Sequence, residues 1–226
     1  KFTFLGVNYY DGQAFMVPKE LGVTSAKELD GATVCIQTGT TTELNLSDFF
    51  RTNNISYEPV PIETNAEAQQ QYLAGACDVY TTDGSGLAAT KASFENPDDH
   101  VILPELVSKE PLGPVARQGD EQWSDIGRWV LMALLTAEEH GVTSENVEEM
   151  AKGTDIAEVN RLLGVESNLG EQLGLSNTWA VDVIKNVGNY AEIFDSNIGE
   201  GSPIGLSRGL NALYKDGGLQ YPIPFL

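Results

Sequence analysis

Apolar positions follow two different rhythms along this chain. Between about residues 13 and 105, short β-rich apolar runs alternate with helical stretches. Strands are expected at 13–17, 33–37, 56–60, 77–81 and 101–103, and helices at 25–29, 42–53, 65–74 and 85–93. Ser25 with Glu28, and Thr64 with Glu67, have the capping-box spacing at two of the helix starts. A β-α-β-α-β order is most economically a parallel sheet covered by helices. After about residue 119 the rhythm becomes helical. Ile126, Trp129, Val130, Ala133, Leu134 and Ala137 fall on one face, as do Trp179, Val183, Val187, Tyr190, Phe194 and Ile198. These stripes read as core, with Gly141 and Gly199 as helix-ending signals. Shorter helices and turns are expected at 157–164 and 170–176, and an extended tail at 221–224.

Ligands of open α/β sheets sit beyond the carboxyl ends of the strands, which singles out two segments. One is Gln37-Thr38-Gly39-Thr40-Thr41-Thr42-Glu43, where a strand empties through a Gly and Thr turn into a helix start. The first turn of a helix presents unpaired N–H groups and a partial positive charge, so a carboxylate or phosphate placed there satisfies both. Gly39 permits close backbone approach, and the hydroxyls of Thr40, Thr41 and Thr42 add donors. The plainer reading makes Thr40 an N-cap, with Glu43 completing a capping box. No Lys follows the glycine and there is no G-x-G-x-x-G, so the segment is neither a Walker loop nor a dinucleotide fingerprint. The other segment is Thr81-Thr82-Asp83-Gly84-Ser85, where Asp83 brings a carboxylate to the same rim. A zwitterion fits the two ends together, whereas in the plainer reading Asp83 caps the helix that follows it.

Composition narrows the partners. The 226 residues are 41% hydrophobic, enough for a real core. The net charge of −20, from 33 acidic and 13 basic residues, repels nucleic acid and anionic membrane surfaces, and both are discarded as partners. No apolar run is long enough to span a bilayer, and the opening residues Lys1-Phe2-Thr3-Phe4-Leu5-Gly6 do not read as a signal peptide. The two cysteines, Cys35 and Cys77, allow one disulfide or two buried thiols. His100 and His140 belong to no metal-ligand spacing, and Asp98, Asp99, Glu138 and Glu139 read as solvated charge. No metal and no cofactor is implied, and an enzyme is the weaker class.

The segments Gly6-Val7-Asn8-Tyr9-Tyr10-Asp11-Gly12-Gln13, Gln37-Thr38-Gly39-Thr40-Thr41-Thr42-Glu43-Leu44-Asn45, Cys77-Asp78-Val79-Tyr80-Thr81-Thr82-Asp83 and Ser108-Lys109-Glu110-Pro111-Leu112-Gly113-Pro114 resemble the periplasmic general L-amino-acid-binding proteins of ABC transporters. Val187-Gly188-Asn189-Tyr190-Ala191-Glu192-Ile193-Phe194 and Arg208-Gly209-Leu210-Asn211-Ala212-Leu213 resemble the carboxyl-terminal helices of that family, so the likeness runs over nearly the whole chain. It implies the α/β, type II periplasmic-binding-protein fold, with two lobes that close on an amino acid and signal to the permease subunits. Residues 1–12 would hold the first hinge strand, 13–106 the second lobe, 107–118 the return hinge strand, and 119–226 the helical part of the first lobe. Carried over, Thr40 and Thr41 meet the ligand's α-carboxylate, Asp83 meets its α-ammonium, and Cys35 and Cys77 form a disulfide within the second lobe.

The family also carries a long segment ahead of the first hinge strand, which builds most of the first lobe and supplies an arginine that clamps the carboxylate. None of Arg51, Arg117, Arg128, Arg161 or Arg208 occupies that motif. The resemblance therefore implies one intact βαβ lobe plus the helical remainder of the first, with apolar helix faces that favour a homodimer or a partner fragment. Two other readings are a structural or interaction domain that has lost ligand affinity, and an enzyme akin to the cyclohexadienyl dehydratases of the same fold. The second needs a cleft acid/base residue, and none stands out.

Overall fold

A computed structural model describes residues 1–226. The chain opens with two short strands, β1 (Phe2–Phe4) and β2 (Tyr9–Asp11), and then builds a unit spanning residues 11–110. That sheet unit contains β3 (Gln13–Pro18), β4 (Ala32–Gln37), α1 (Thr41–Thr52), β5 (Tyr57–Ile62), α2 (Asn65–Leu73), β6 (Val79–Asp83), α3 (Gly84–Ala92) and β7 (His100–Ile102). Its five strands lie in the order β5-β4-β6-β3-β7. The expected all-parallel sheet is thus corrected: β4 is parallel to β5 and β6, but β3 runs antiparallel to both of its neighbours, β6 and β7. The physical reason is that no full crossover helix separates β3 from β4. Two short 3-10 turns, Lys19–Leu21 and Ala26–Glu28, intervene, and parallel strands are usually joined through a full helix.

Strand alternation sorts this sheet's side chains into two cores. Phe15, Val17, Val34, Ile36 and Val79 point to the face covered by Leu46 and Phe50 of α1. Ala14, Met16, Cys35 and Tyr80 point to the other, beneath Ala68 and Tyr72 of α2 and Leu87 of α3. Burial on both faces is why these strands read as continuous apolar runs. β5 can carry Pro59 and Pro61 because it is the edge strand. Cys35 and Cys77 form a disulfide, with their Cα atoms 5.6 Å apart and their positions separated by 42 in sequence. Closing a loop of that length stabilises by about 4 kcal/mol in the chain-entropy account. Beside the bridge, the Asp78 carboxylate accepts from both the N–H and the hydroxyl of Thr33.

The second unit comprises residues 1–10 and 111–226. It is entered through β8 (Glu110–Leu112), which pairs with β2, and β9 (Val115–Arg117), which pairs antiparallel with β1. It continues as α4 (Glu121–Glu139), α5 (Val147–Met150), α6 (Ala157–Leu162), α7 (Leu169–Gln172), α8 (Trp179–Val187) and α9 (Tyr190–Asn197). One core gathers Ala133, Ala137, Val142, Val159, Leu162, Trp179 and Ile184; a smaller one holds Leu131, Leu135, Tyr190 and Leu213. The expected stripe from Trp179 to Ile198 is broken. Gly188, at φ 81°, ends α8, and Asn189 starts α9 with a reciprocal capping box to Glu192, which leaves Val187 on the surface. Polar links hold β2's first residues to the helices. The Asn211 side chain accepts from Tyr10 N–H (2.7 Å) and donates to Tyr10 C=O (3.0 Å), while the Tyr190 hydroxyl donates to Asn8 C=O (2.6 Å).

Candidate ligand-binding site

β4 and β6 are neighbouring parallel strands, with Val34 beside Val79 and Cys35 beside Tyr80, so they end at one edge of the sheet. That edge brings the Thr40–Thr41 segment and Asp83 together, as the sequence expects. Beyond β4 the chain turns through Gly39, at φ 73°, into α1. Thr40 holds the N-cap position, but its hydroxyl donates backward to Gln37 C=O (2.8 Å) and no side chain caps the helix. Glu43 accepts from Gly39 N–H (2.9 Å) instead of closing a box on Thr40. The expected Thr40–Glu43 capping box is therefore absent, and no side chain at the N-cap accepts from the first-turn amides of this twelve-residue helix. Thr41, its first residue, is exposed. A backbone cradle open to a small anion results.

Asp83 ends β6 and stands at the N-cap position of α3, yet its carboxylate accepts no capping bond. The reading of Asp83 as a helix cap is thereby excluded. Burial raises its pKa above the usual carboxylate range, and the charges of Asp11 and Glu110 raise it further. A half-buried carboxylate with two acidic neighbours gains most from a cation.

Two residues at this edge escape sequence reasoning. Asp11 is buried and holds the start of α3 through Ser85, whose N–H (3.2 Å) and hydroxyl both donate to it. Gln13, only 1% exposed, sits opposite Asp83 in the β3–β6 register. Its amide N–H₂ donates to Thr42 C=O (3.1 Å) and to the Thr81 hydroxyl (3.0 Å), stitching the first turn of α1 to β6. Its carbonyl oxygen is buried and has no protein partner. A signal for both existed: each is a polar residue placed at the head of an otherwise apolar buried run. The arginines lie elsewhere. Arg51 pairs with Asp48 at the far end of α1, Arg128 with Asp125 and Arg208 with Glu138, while Arg161 donates to Phe225 C=O. The histidines are engaged too, His100 with the Tyr72 hydroxyl (2.8 Å) and His140 with Glu158 (3.1 Å). No group of three or more His, Cys, Asp or Glu is placed to hold a metal ion. No helix is long and apolar enough to cross a membrane.

Comparison with known proteins gives consistent likenesses. The chain is 59% identical over 222 residues, 98% of its length, to a glutamate/glutamine/aspartate/asparagine-binding protein of Rhodobacter capsulatus. It is 56% identical over 225 residues, 99% of its length, to a general L-amino acid-binding periplasmic protein of Rhizobium johnstonii. It spans 66% of each of these relatives. Among solved structures, an ABC transporter periplasmic binding protein from Brucella ovis, with glutathione bound, matches 100% of this chain and 71% of its own at 52% identity and a TM-score of 0.94. No family model matches.

Proposed function

This chain belongs to the periplasmic amino-acid-binding proteins of ABC transporters and has their type II fold, and from that premise we propose that it captures L-amino acids in the periplasm as the substrate-binding component of an uptake system. It performs no chemistry on its ligand and hands it to the permease subunits. The first-turn amides of α1, with Thr40 and Thr41, receive the α-carboxylate, and Asp83 receives the α-ammonium. The observation that carries this reading is the pairing of an uncapped helix start with an unpartnered, half-buried carboxylate at one sheet edge. Charges of opposite sign presented side by side match a zwitterion, and desolvation strengthens such charge-assisted bonds.

Glutathione, held by the Brucella ovis relative, widens the candidate ligands without changing the site. Its γ-glutamyl end keeps a free α-ammonium and α-carboxylate, so the same groups suit it. Calorimetry against the twenty amino acids and glutathione tests the proposal. Binding heat is expected from at least one of them. Asp83→Ala is expected to weaken that binding by roughly ten- to a hundredfold, the worth of a hydrogen bond to a charged group at about 1.5–3 kcal/mol. Unchanged affinity in Asp83→Ala removes the ammonium role, and silence from the whole panel removes the capture function.

A further inference from the structure

The start of α3 carries two carboxylates where one would serve. In an ordinary N-cap, the side chain preceding the helix accepts from the second or third helical N–H, which here belong to Ser85 and Gly86. Asp83 occupies that cap position with extended-type backbone angles (φ −54°, ψ 139°) but leaves the bond unmade. Asp11, from the end of β2, makes it instead. Its Oδ2 accepts from Ser85 N–H (3.2 Å) and from the Ser85 hydroxyl, and its Oδ1 accepts from Gly12 N–H (2.8 Å). The first helical N–H is satisfied as well, since Gly84 donates to Gly12 C=O (2.8 Å). Glycine at 84 permits this approach, because a Cβ there would stand 3.3 Å from Asp11 Oδ1. Asp11 is 7% exposed, an unusual place for a carboxylate unless its bonds are needed.

Building on the amino-acid reading of the site, we propose that Asp11 is the positioning residue of the ligand-binding carboxylate: by holding Ser85 it prevents Asp83 from closing on its own helix and leaves Asp83 for the ammonium group of the ligand. The helix end would otherwise be the natural partner of Asp83, since its partial positive charge and free N–H groups compete directly with a cation. The groups around Asp83 agree with this assignment. Gln13 stands opposite it with its N–H₂ turned to Thr42 and Thr81, and Asp11 and Glu110 are the charged groups that raise the Asp83 pKa after burial itself. Neither supplies a donor, so Asp83 stays open to a cationic partner.

The test combines an NMR titration of the Asp83 carboxyl in ligand-free protein with calorimetric binding of L-glutamine, whose side chain does not titrate. In Asp11→Ala, Asp83 is expected to swing onto Ser85. Its midpoint then falls, because the helix end favours the charged form and a negative neighbour has gone, and glutamine affinity falls by at least roughly tenfold. Asp11→Asn keeps an acceptor for Ser85, so it recovers most of the affinity lost in Asp11→Ala. Its Asp83 midpoint still falls, through removal of the charge alone, and the acid limit of binding moves to lower pH. Equal loss of affinity in the two variants, or an Asp83 midpoint unmoved in both, overturns the proposal. If Asp11→Ala does not fold, glutamine affinity in Asp11→Asn decides, near-wild-type binding by this variant, which keeps the acceptor for Ser85, supporting the proposal and a roughly tenfold or greater loss overturning it. If wild-type protein binds no glutamine while the midpoints fall as expected, the positioning role stands and the amino-acid reading is what fails.

Discussion

The sheet unit and the helical unit solve the burial problem differently. In the first, a five-stranded sheet sends alternate side chains into two cores, each roofed by helices, and a disulfide ties β4 to the approach of β6. Of its large apolar side chains, Leu21, Leu44, Leu73 and Leu106 are the exposed ones. In the second, six helices accompany only a two-stranded β1–β9 ribbon and the short β2–β8 pairing, and the remaining exposed large apolar residues all belong there, among them Phe2 and Phe4 at 71%, Trp123 at 59% and Tyr221 at 67%. The helical unit also carries polar ties, including Asn211 to Tyr10 and Arg208 to Glu138. The candidate ligand groups sit on the unit with the more completely closed core, a rigid support of the kind a binding site needs.

The sharpest way to break this comparison is to cut into the layered core. Phe50 is 1% exposed and its ring lies 4.7 Å from that of Tyr57, 5.8 Å from that of Phe49 and 6.1 Å from that of Phe15. Phe50→Ala should cost about 3–5 kcal/mol. Denaturant unfolding followed by near-UV circular dichroism should show the loss in the sheet unit. If the two units unfold separately, the transition of the helical unit stays in place, and a shift of both by the same amount would mean that the two behave as one cooperative body.

A polar tie should matter less, and its pH dependence carries a distinct signature. One guanidinium nitrogen of Arg208 reaches both Glu138 oxygens (2.9 and 3.0 Å), and the guanidinium lies 5.2 Å from the Tyr190 ring centre and 5.1 Å from that of Phe194. Burial raises the Glu138 pKa despite the opposing pull of Arg208. A carboxyl whose folded pKa lies above its unfolded one binds protons more readily when folded, so it favours folding below the ordinary carboxylate range. That advantage is lost as pH rises through the raised value. Glu138→Gln, which resembles the neutral carboxyl, should remove this slope and leave stability at neutral pH unchanged or slightly higher, since the ionised pair does not recover the cost of its own burial. Stability curves just above the ordinary carboxylate range, compared between wild type and variant, give the answer. An identical slope in both would sink the assignment.

How far these differences could be read from the sequence depends on how locally each is encoded. The strands and helices of the sheet unit follow from apolar runs and turn signals within a few residues, and the structure finds β3, β4, β5 and β7 within two residues of the expected bounds. β6 begins two residues later than expected, after Cys77 and Asp78 have been used for the disulfide and for Thr33. The antiparallel insertion of β3 was not legible, because pairing partners are a long-range property and no pattern inside 13–18 names them. Gly188-Asn189 with Glu192 was legible as a helix boundary, yet the apolar spacing across it imitates one continuous stripe. At the site, Thr40, Thr41 and Asp83 could be placed at one sheet edge from topology alone. That Asp11, seventy-four residues from Ser85 in sequence, holds the helix start beside Asp83 could not.

The smallest expected effect tests whether the exposed apolar face of the helical unit is ordinary surface. Phe4 pairs with Val115 across the β1–β9 ribbon, and both are exposed, at 71% and 47%, while Ala116, next to Val115 and opposite Thr3, is buried. Replacing an exposed residue without partners changes stability by no more than about 0.5 kcal/mol, so Phe4→Ser should leave the unfolding midpoint almost unmoved if water covers this face. A second copy or another chain lying on it would bury Phe4, and the same substitution would then cost about 1.5–3 kcal/mol through lost apolar burial. Sedimentation at two protein concentrations separates the cases. A concentration-dependent mass that Phe4→Ser abolishes identifies the ribbon as an interface, whereas an unchanged monomer with an unchanged midpoint means that water, not another chain, covers the apolar side chains of the ribbon.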